Sequence, residues 1–300
     1  MPRFKLGALA LAYIGLGVNL PPCLAQASPA VAPEPQLFAE NVISTADDES
    51  HPAFTPDGRT LYFLKNDPSF NHWTIVVSHE QNGKWSTPEV APFSGQFSDT
   101  DPFITLDGQR FFLISTRPVS GKAKEDTDIW MMSGEGAAPE AGAGNKTAGS
   151  WSAPQHLAAV NSDANEWFPT VSKNGNLYFG SERPGGKGRC DLYVSRLVDG
   201  KYQTPKNLGE PINTAANEVE PFIAPDESYI IFAGTGLPES RGAYDLYVSF
   251  RRDGAWTNPR TWATRSIRQV GISHRKFHLT GNGFSSPATA ASQTNRWKNG

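Results

Sequence analysis

One strand–turn–strand unit recurs four times in register along this chain, and that repetition limits its fold more than any other feature. The segments are His51-PAFTPDGRTLYFLKN, Asp101-PFITLDGQRFFLIST, Phe168-PTVSKNGNLYFGSE and Glu220-PFIAPDESYIIFAGT. Each opens at a proline (Pro52, Pro102, Pro169, Pro221) and runs through a short alternating strand to Asp57-Gly58, Asp107-Gly108, Asn174-Gly175 or Asp226-Glu227. Asp-Gly and Asn-Gly tolerate the positive φ of tight hairpin turns, so each segment reads as two strands joined by a turn. A third strand follows at residues 73–78, 128–133, 191–195 and 245–249, and then an aromatic–proline pair: Trp85 and Pro88, Trp151 and Pro154, Tyr202 and Pro205, Trp256 and Pro259.

Four strands in about 50 residues is the size of one propeller blade. Residues 134–149 (GEGAAPEAGAGNKTAG) lengthen the second unit as a low-complexity insertion. The stretch Phe38-AENVISTADDESHPAF parallels Pro205-KNLGEPINTAANEVEPF, so residues 37–43 read as the outermost strand of a blade whose other strands come from the C-terminus. The predicted fold is all-β, a propeller of about five or six four-stranded blades with the last incomplete in this chain. The units span about 48–95, 96–162, 163–215 and 216–260, within a propeller region of 37–260. The x-Pro-x-x-(Ser/Thr)-x-Asp-Gly-x-x-aromatic pattern, with Asp-Leu-Tyr-Val-Ser downstream, resembles the WD40-like propeller repeat of the TolB type. That resemblance implies a ring of four-stranded blades, commonly periplasmic or at the cell surface, and no single activity.

The N-terminus reads as an export signal over 1–27. Arg3 and Lys5 precede an apolar run too short and Gly-rich for a stable membrane span, and Ala25-Gln26-Ala27 is a small-x-small cleavage site. Residues 28–36 are a linker. Cys23 raises a lipid anchor, but Pro21 and Pro22 stand where a lipobox wants small residues. The expected location is periplasmic or secreted, with no membrane span. Losing Arg3 and Lys5 makes a chain of formal charge −3 more acidic still, and no basic stripe with interleaved aromatics is present, so nucleic acid is excluded as a partner. After cleavage only Cys190 remains, which excludes a disulfide framework.

Residues 261–300 carry no blade pattern. With permitted codons, residues 260–267 (Arg-Thr-Trp-Ala-Thr-Arg-Ser-Ile) can be written CGA ACC TGG GCG ACC CGA TCA ATT. One frame over, these bases read Asn-Leu-Gly-Asp-Pro-Ile-Asn and continue, still with allowed codons, as SASWDIAPKVSPDGQWFFFTSHRG, another repeat opening. The hypothesis is a base lost near the Arg260 codon, either in reading the gene or in the gene itself. A frameshifted, non-functional product is then one reading of the chain, with an exposed strand edge left by an incomplete closing blade. On this reading His274 and His278 are disregarded despite their helical metal-like spacing.

Two sets of residues are candidate ligand contacts. Glu49, Asp99, Glu166 and Glu218 each stand three positions before a repeat proline, where a ring of carboxylates could bind a channel cation or a basic group on a partner. Against this, a carboxylate that recurs once per blade also suits a backbone-bonding role in the loop. Arg183, within Ser181-Glu182-Arg183-Pro184-Gly185-Gly186-Lys187-Gly188, could hold an anion beside glycines that admit close backbone approach. The competing reading is an ordinary hairpin with Arg183 paired to a nearby acid. His51, His72, His79 and His156 show no zinc spacing, and there is no Gly-x-Ser-x-Gly elbow or sialidase box. No catalytic residue and no cofactor beyond that cation is assigned. The leading expectation is a non-enzymatic propeller binding a protein, peptide or glycan on one face. The alternative is a glycan-active lyase or hydrolase with a channel metal, favoured by any convergent His/carboxylate cluster at the axis.

Overall fold

A computed structural model describes residues 36–66, 72–122, 124–134, 151–240 and 244–261, and the backbone of 278–280 and 284–285. The chain divides into Met1–Glu34 and Pro35–Gly300; the first unit, with the export signal, lies outside the described residues, as do the insertion from residue 135 and most of the tail. Every regular element among the described residues is a strand.

The second unit opens with β1 (Gln36–Leu37) and then builds four antiparallel blades in chain order. The first comprises β2 (Glu49–Phe54), β3 (Thr60–Asn66) and β4 (Trp73–Gln81), whose far end folds onto β5 (Lys84–Trp85) and whose edge pairs with β6 (Glu89–Val90). The second is β7 (Asp99–Ile104), β8 (Arg110–Ser115), β9 (Asp128–Ser133) and β10 (Gln155–His156). The third runs β11 (Glu166–Val171), β12 (Leu177–Ser181) and β13 (Asp191–Ser195), adds the hairpin β14 (Leu197–Val198)–β15 (Lys201–Tyr202), and ends at β16 (Lys206–Asn207). The fourth is β17 (Glu218–Ile223), β18 (Tyr229–Gly234) and β19 (Asp245–Arg252), flanked by β20 (Ala255–Trp256) and β21 (Arg260–Thr261). Backbone pairing joins β1 to β22 (His278–Thr280), which pairs β23 (Phe284–Ser285), so N- and C-terminal strands share one sheet.

The turns form as the repeat dictates. Thr55 Oγ1 donates to Asp57 at 2.6 Å, and the same carboxylate accepts from Arg59 N at 3.0 Å. Thr105, Asp107 and Gln109 repeat this, with Gly58 at φ 70° and Gly108 at φ 68° completing each turn. The fourth turn departs from the pattern. Glu227 takes the glycine position at φ 58°, and its carboxylate accepts from Ser172 Oγ (3.0 Å), Asn176 Nδ2 (2.7 Å) and Arg251 NH1 (2.7 Å), tying the fourth blade to the third.

Strand alternation builds the core between blades. On β3, Leu61 and Phe63 pack back against Phe38, Val42 and Ile43 of the leading segment, while Tyr62 packs forward onto Phe111 and Leu113 of the second blade. Phe112 faces Leu177 and Phe179 of the third blade in the same way, and Tyr178 faces Ile230 and Phe232 of the fourth. Each such buried aromatic contributes roughly 1.5–3 kcal/mol. These interlocking layers make the unit a β-propeller. They also put the first strands of successive blades, β2, β7, β11 and β17, beside one another.

Candidate functional site at the propeller axis

The prolines that open the repeat decide the geometry of the inner strands. Proline offers no N–H to a ladder, so pairing is interrupted there in every blade: between Ser50 and Ala53, Thr100 and Phe103, Trp167 and Thr170, and Val219 and Phe222. The residue before each proline takes the left-handed conformation: His51 at φ 53°, Asp101 at 50°, Phe168 at 54° and Glu220 at 52°. Non-glycine residues adopt this region rarely and at a cost of about 1–3 kcal/mol. The repeat imposes the backbone four times, yet the side chains are an imidazole, two carboxylates and a phenyl ring.

The first three of these residues meet, and Glu220 lies within electrostatic reach of Asp101. His51 Nε2 lies 3.5 Å from Asp101 Oδ1, and its Nδ1 is 2.9 Å from Ser50 Oγ. Its ring stacks on Phe168, with centroids 6.0 Å apart and planes at 15°. Asp101 accepts from Thr100 Oγ1 at 2.7 Å and from the backbone N–H of Phe168 at 3.1 Å, so one carboxylate links three blades. Burial, with Asp101 close by, pushes the Glu220 carboxyl well above the ordinary carboxylate range. Glu220 has no hydrogen-bond or ion-pair partner among the described residues. A carboxylate so placed either holds a proton or awaits a cationic group.

The four lead-in carboxylates are arranged differently. Glu49 accepts from Thr45 N at 3.1 Å and from Thr45 Oγ1, with Lys65 Nζ at 3.5 Å. Asp99 accepts from Ser94 Oγ at 2.9 Å and Arg117 NH2 at 2.6 Å. Glu166 takes Ser162 N (3.2 Å), Ser162 Oγ (2.6 Å), Ser181 Oγ (3.0 Å) and Arg183 NH2 (2.9 Å). Glu218 takes Thr214 N at 3.2 Å and Oγ1 at 2.6 Å. All four are buried, each locks the loop leading into its own inner strand, and no hydrogen bond or ion pair joins them to one another among the described residues. Burial raises Glu166 and Glu218 above the usual range, opposed by the Ser162 and Thr214 bonds.

Arg183 belongs to the same scaffold. It donates to Ser181 Oγ (2.8 Å), Val160 O (2.7 Å) and Glu166, and lies over Phe179 and Tyr193. Arg117 repeats this in the second blade with Ser115, Phe93 O, Asp99 and Trp130. The glycines beside Arg183 admit a close approach from within the protein. Lys187 N and Gly188 N donate to Asp191 at 2.9 and 3.0 Å, and a Cβ on Gly188 would sit 1.6 Å from Ala216 O of the next blade.

Sequence reasoning set His51 aside for lack of zinc spacing and did not single out Asp101, Phe168 or Glu220. A signal was available: the position before the proline, unlike the lead-in carboxylate two residues earlier, changes chemistry from blade to blade. No group of three or more metal-ligating side chains in metal-binding geometry occurs among the described residues. No helix there is long and apolar enough to cross a membrane.

No protein-family model matches the chain. No curated protein matches it either. Among solved structures it is similar to TolB from Acinetobacter baumannii, at 15% identity and TM-score 0.45 over 72% of this chain and 44% of that one. It is similar to a puromycin-hydrolysing peptidase of Mycobacterium tuberculosis, at 15% identity and TM-score 0.46 over 74% of this chain and 30% of that one. A thermostable family-43 glycoside hydrolase matches at 14% identity and TM-score 0.39. The chain thus spans less than half the length of the first two, and its blade assignment rests on its own strand pairing.

Proposed function

We propose that this chain is an exported binding propeller, acting in the periplasm or outside the cell, whose protein or peptide ligand presents a cationic group to Asp101 and Glu220 at the axis. The observation that carries the reading is Glu220: a half-buried carboxylate with no hydrogen-bond or ion-pair partner among the described residues, near Asp101, whose charge adds to the same field. The lead-in carboxylates and Arg183 hold the inner strands that present this pair. The test is thermal stabilisation of the protein by short peptides carrying lysine or arginine, against glutamate peptides and neutral oligosaccharides. Cationic peptides are expected to stabilise it, and the double variant Asp101→Asn, Glu220→Gln to lose that response. Stabilisation by the oligosaccharides alone refutes the charge reading and leaves a glycan ligand.

The second reading is a glycan-active lyase or hydrolase, and the approach of His51 to Asp101 near Glu220 favours it. A carboxyl held above its ordinary range suits a general acid, and an imidazole braced by a carboxylate suits a base. Release of reducing or unsaturated ends from a polysaccharide panel, with and without added divalent cation and lost in His51→Ala, supports this reading. No release across that panel removes it.

A further inference from the structure

Among the described residues, two faces of the propeller lack the neighbouring blade face that the others have. On the second strand of each blade, the residue facing the following blade is fully buried in the first three: Tyr62, Phe112 and Tyr178. Its counterpart in the fourth, Ile231, is only partly buried. Beside it run three rings on one face of the sheet: Phe222 is 6.5 Å from Tyr229, and Tyr229 is 6.2 Å from Phe250, which is 42% exposed.

The second observation is at the other end of the unit. In three blades the residue five positions before the lead-in carboxylate clamps the third strand of the preceding blade. Asn161 accepts from Ile129 N and donates to Ile129 O, both at 2.9 Å. Asn213 does the same to Leu192 at 2.9 and 2.8 Å, and Ser94 accepts from Ile75 N at 3.0 Å. Ser44 holds this position before Glu49, and its hydroxyl is buried with no partner among the described residues. An orphaned buried hydroxyl destabilises the fold that holds it. Three equivalents show what it is shaped for: the backbone of a third strand in a blade that ends at β1.

We infer that a fifth blade fills the gap between the fourth blade and the leading segment. Its outermost strand is β1, and its first two strands are encoded one frame away by the bases that here specify the residues after Arg260. The alternative frame supplies what both faces lack. Its Asn-Leu-Gly-Asp-Pro-Ile-Asn ends on an asparagine at the Asn213 position. Its Ile-Ala-Pro-Lys-Val-Ser-Pro-Asp-Gly opens an inner strand and turn, and its Trp-Phe-Phe-Phe matches the aromatic second strand that would cover Ile231, Tyr229 and Phe250. The residue before that proline is alanine, so the fifth blade adds no charge to the axial set.

The test adds one base in the Arg260 codon and compares the product, read to its next stop, with the present chain. The thermal midpoint is expected to rise by about 10 °C, as burial of a further blade interface implies. Ser44→Ala then lowers the midpoint in the restored protein and leaves it unchanged or higher in the present chain, where the hydroxyl is orphaned. A restored chain that is insoluble or melts no higher overturns the inference, as does an equal effect of Ser44→Ala in both backgrounds. Bases across codons 258–262 that cannot encode the repeat in the second frame overturn it outright.

Discussion

The lead-in carboxylates and the axial residues sit only two positions apart on the same inner strands, yet they answer to different constraints. Glu49, Asp99, Glu166 and Glu218 keep one chemistry in all four blades, and each is engaged by donors on its own loop. His51, Asp101, Phe168 and Glu220 keep one backbone conformation and four different side chains. Where repetition preserves chemistry it marks the scaffold, because each blade must solve the same folding problem. Where it preserves only backbone, chemistry is released from that problem. Glu227 refines the rule: it too departs from the repeat, but three donors satisfy its carboxylate, so its departure is structural. Glu220 departs and has no hydrogen-bond or ion-pair partner among the described residues.

The contrast is sharpest in a pair of substitutions. Glu166→Ala removes a buried carboxylate and strands Arg183, and is expected to destabilise the fold by about 3 kcal/mol in denaturant unfolding. His51→Ala is expected to cost less than half as much; an equal loss would make the axial set scaffold and break the comparison. Next in size, Gly188→Ala drives a methyl into Ala216 O and is expected to cost about 2 kcal/mol. Cationic-peptide stabilisation should survive it if the glycine loop is structural. Glu227→Gly restores the repeat residue but deletes an inter-blade clasp, and a loss of about 1–2 kcal/mol is expected by the same measurement.

The smallest effect has the opposite sign. Glu220→Gln removes a half-buried charge with no partner among the described residues, so the variant should melt higher than the parent near neutral pH. Because the folded-state pKa is raised, folded and unfolded forms are both protonated below the ordinary value of 4.5, and the gain vanishes there. It grows as pH rises from 4.5 through the folded-state value. A gain that is instead largest in acid contradicts a raised Glu220. Conversely, Asp57 is lowered by its Thr55 bond and the Arg59 N–H, so what it contributes is present above 3.8 and lost as pH falls below it.

Blade strands, turns and their order were legible from residues alone because each rests on short-range causes. Alternating apolar residues define a strand, Asp-Gly defines its turn, and proline defines the break in its ladder. The fourfold register turned these weak local signals into an architecture. Lead-in carboxylates were equally visible as a motif, and their donors Thr45, Ser162 and Thr214 lie only four residues upstream. What they do was not legible, since a carboxylate facing a channel and one facing its own loop have the same sequence.

Only the tertiary structure decided which residues converge. His51, Asp101, Phe168 and Glu220 are each 50 or more residues from the next, and a periodic pattern says nothing of how successive units are turned against one another. Packing of Tyr62 on Phe111, Phe112 on Leu177 and Tyr178 on Phe232 sets that rotation, and the rotation carries His51 to within 3.5 Å of Asp101. The sequence by itself determined the blade, because a blade is held by hydrogen bonds between near neighbours in the chain. The site is a property of blades in a ring, and exists only once their cores have interlocked.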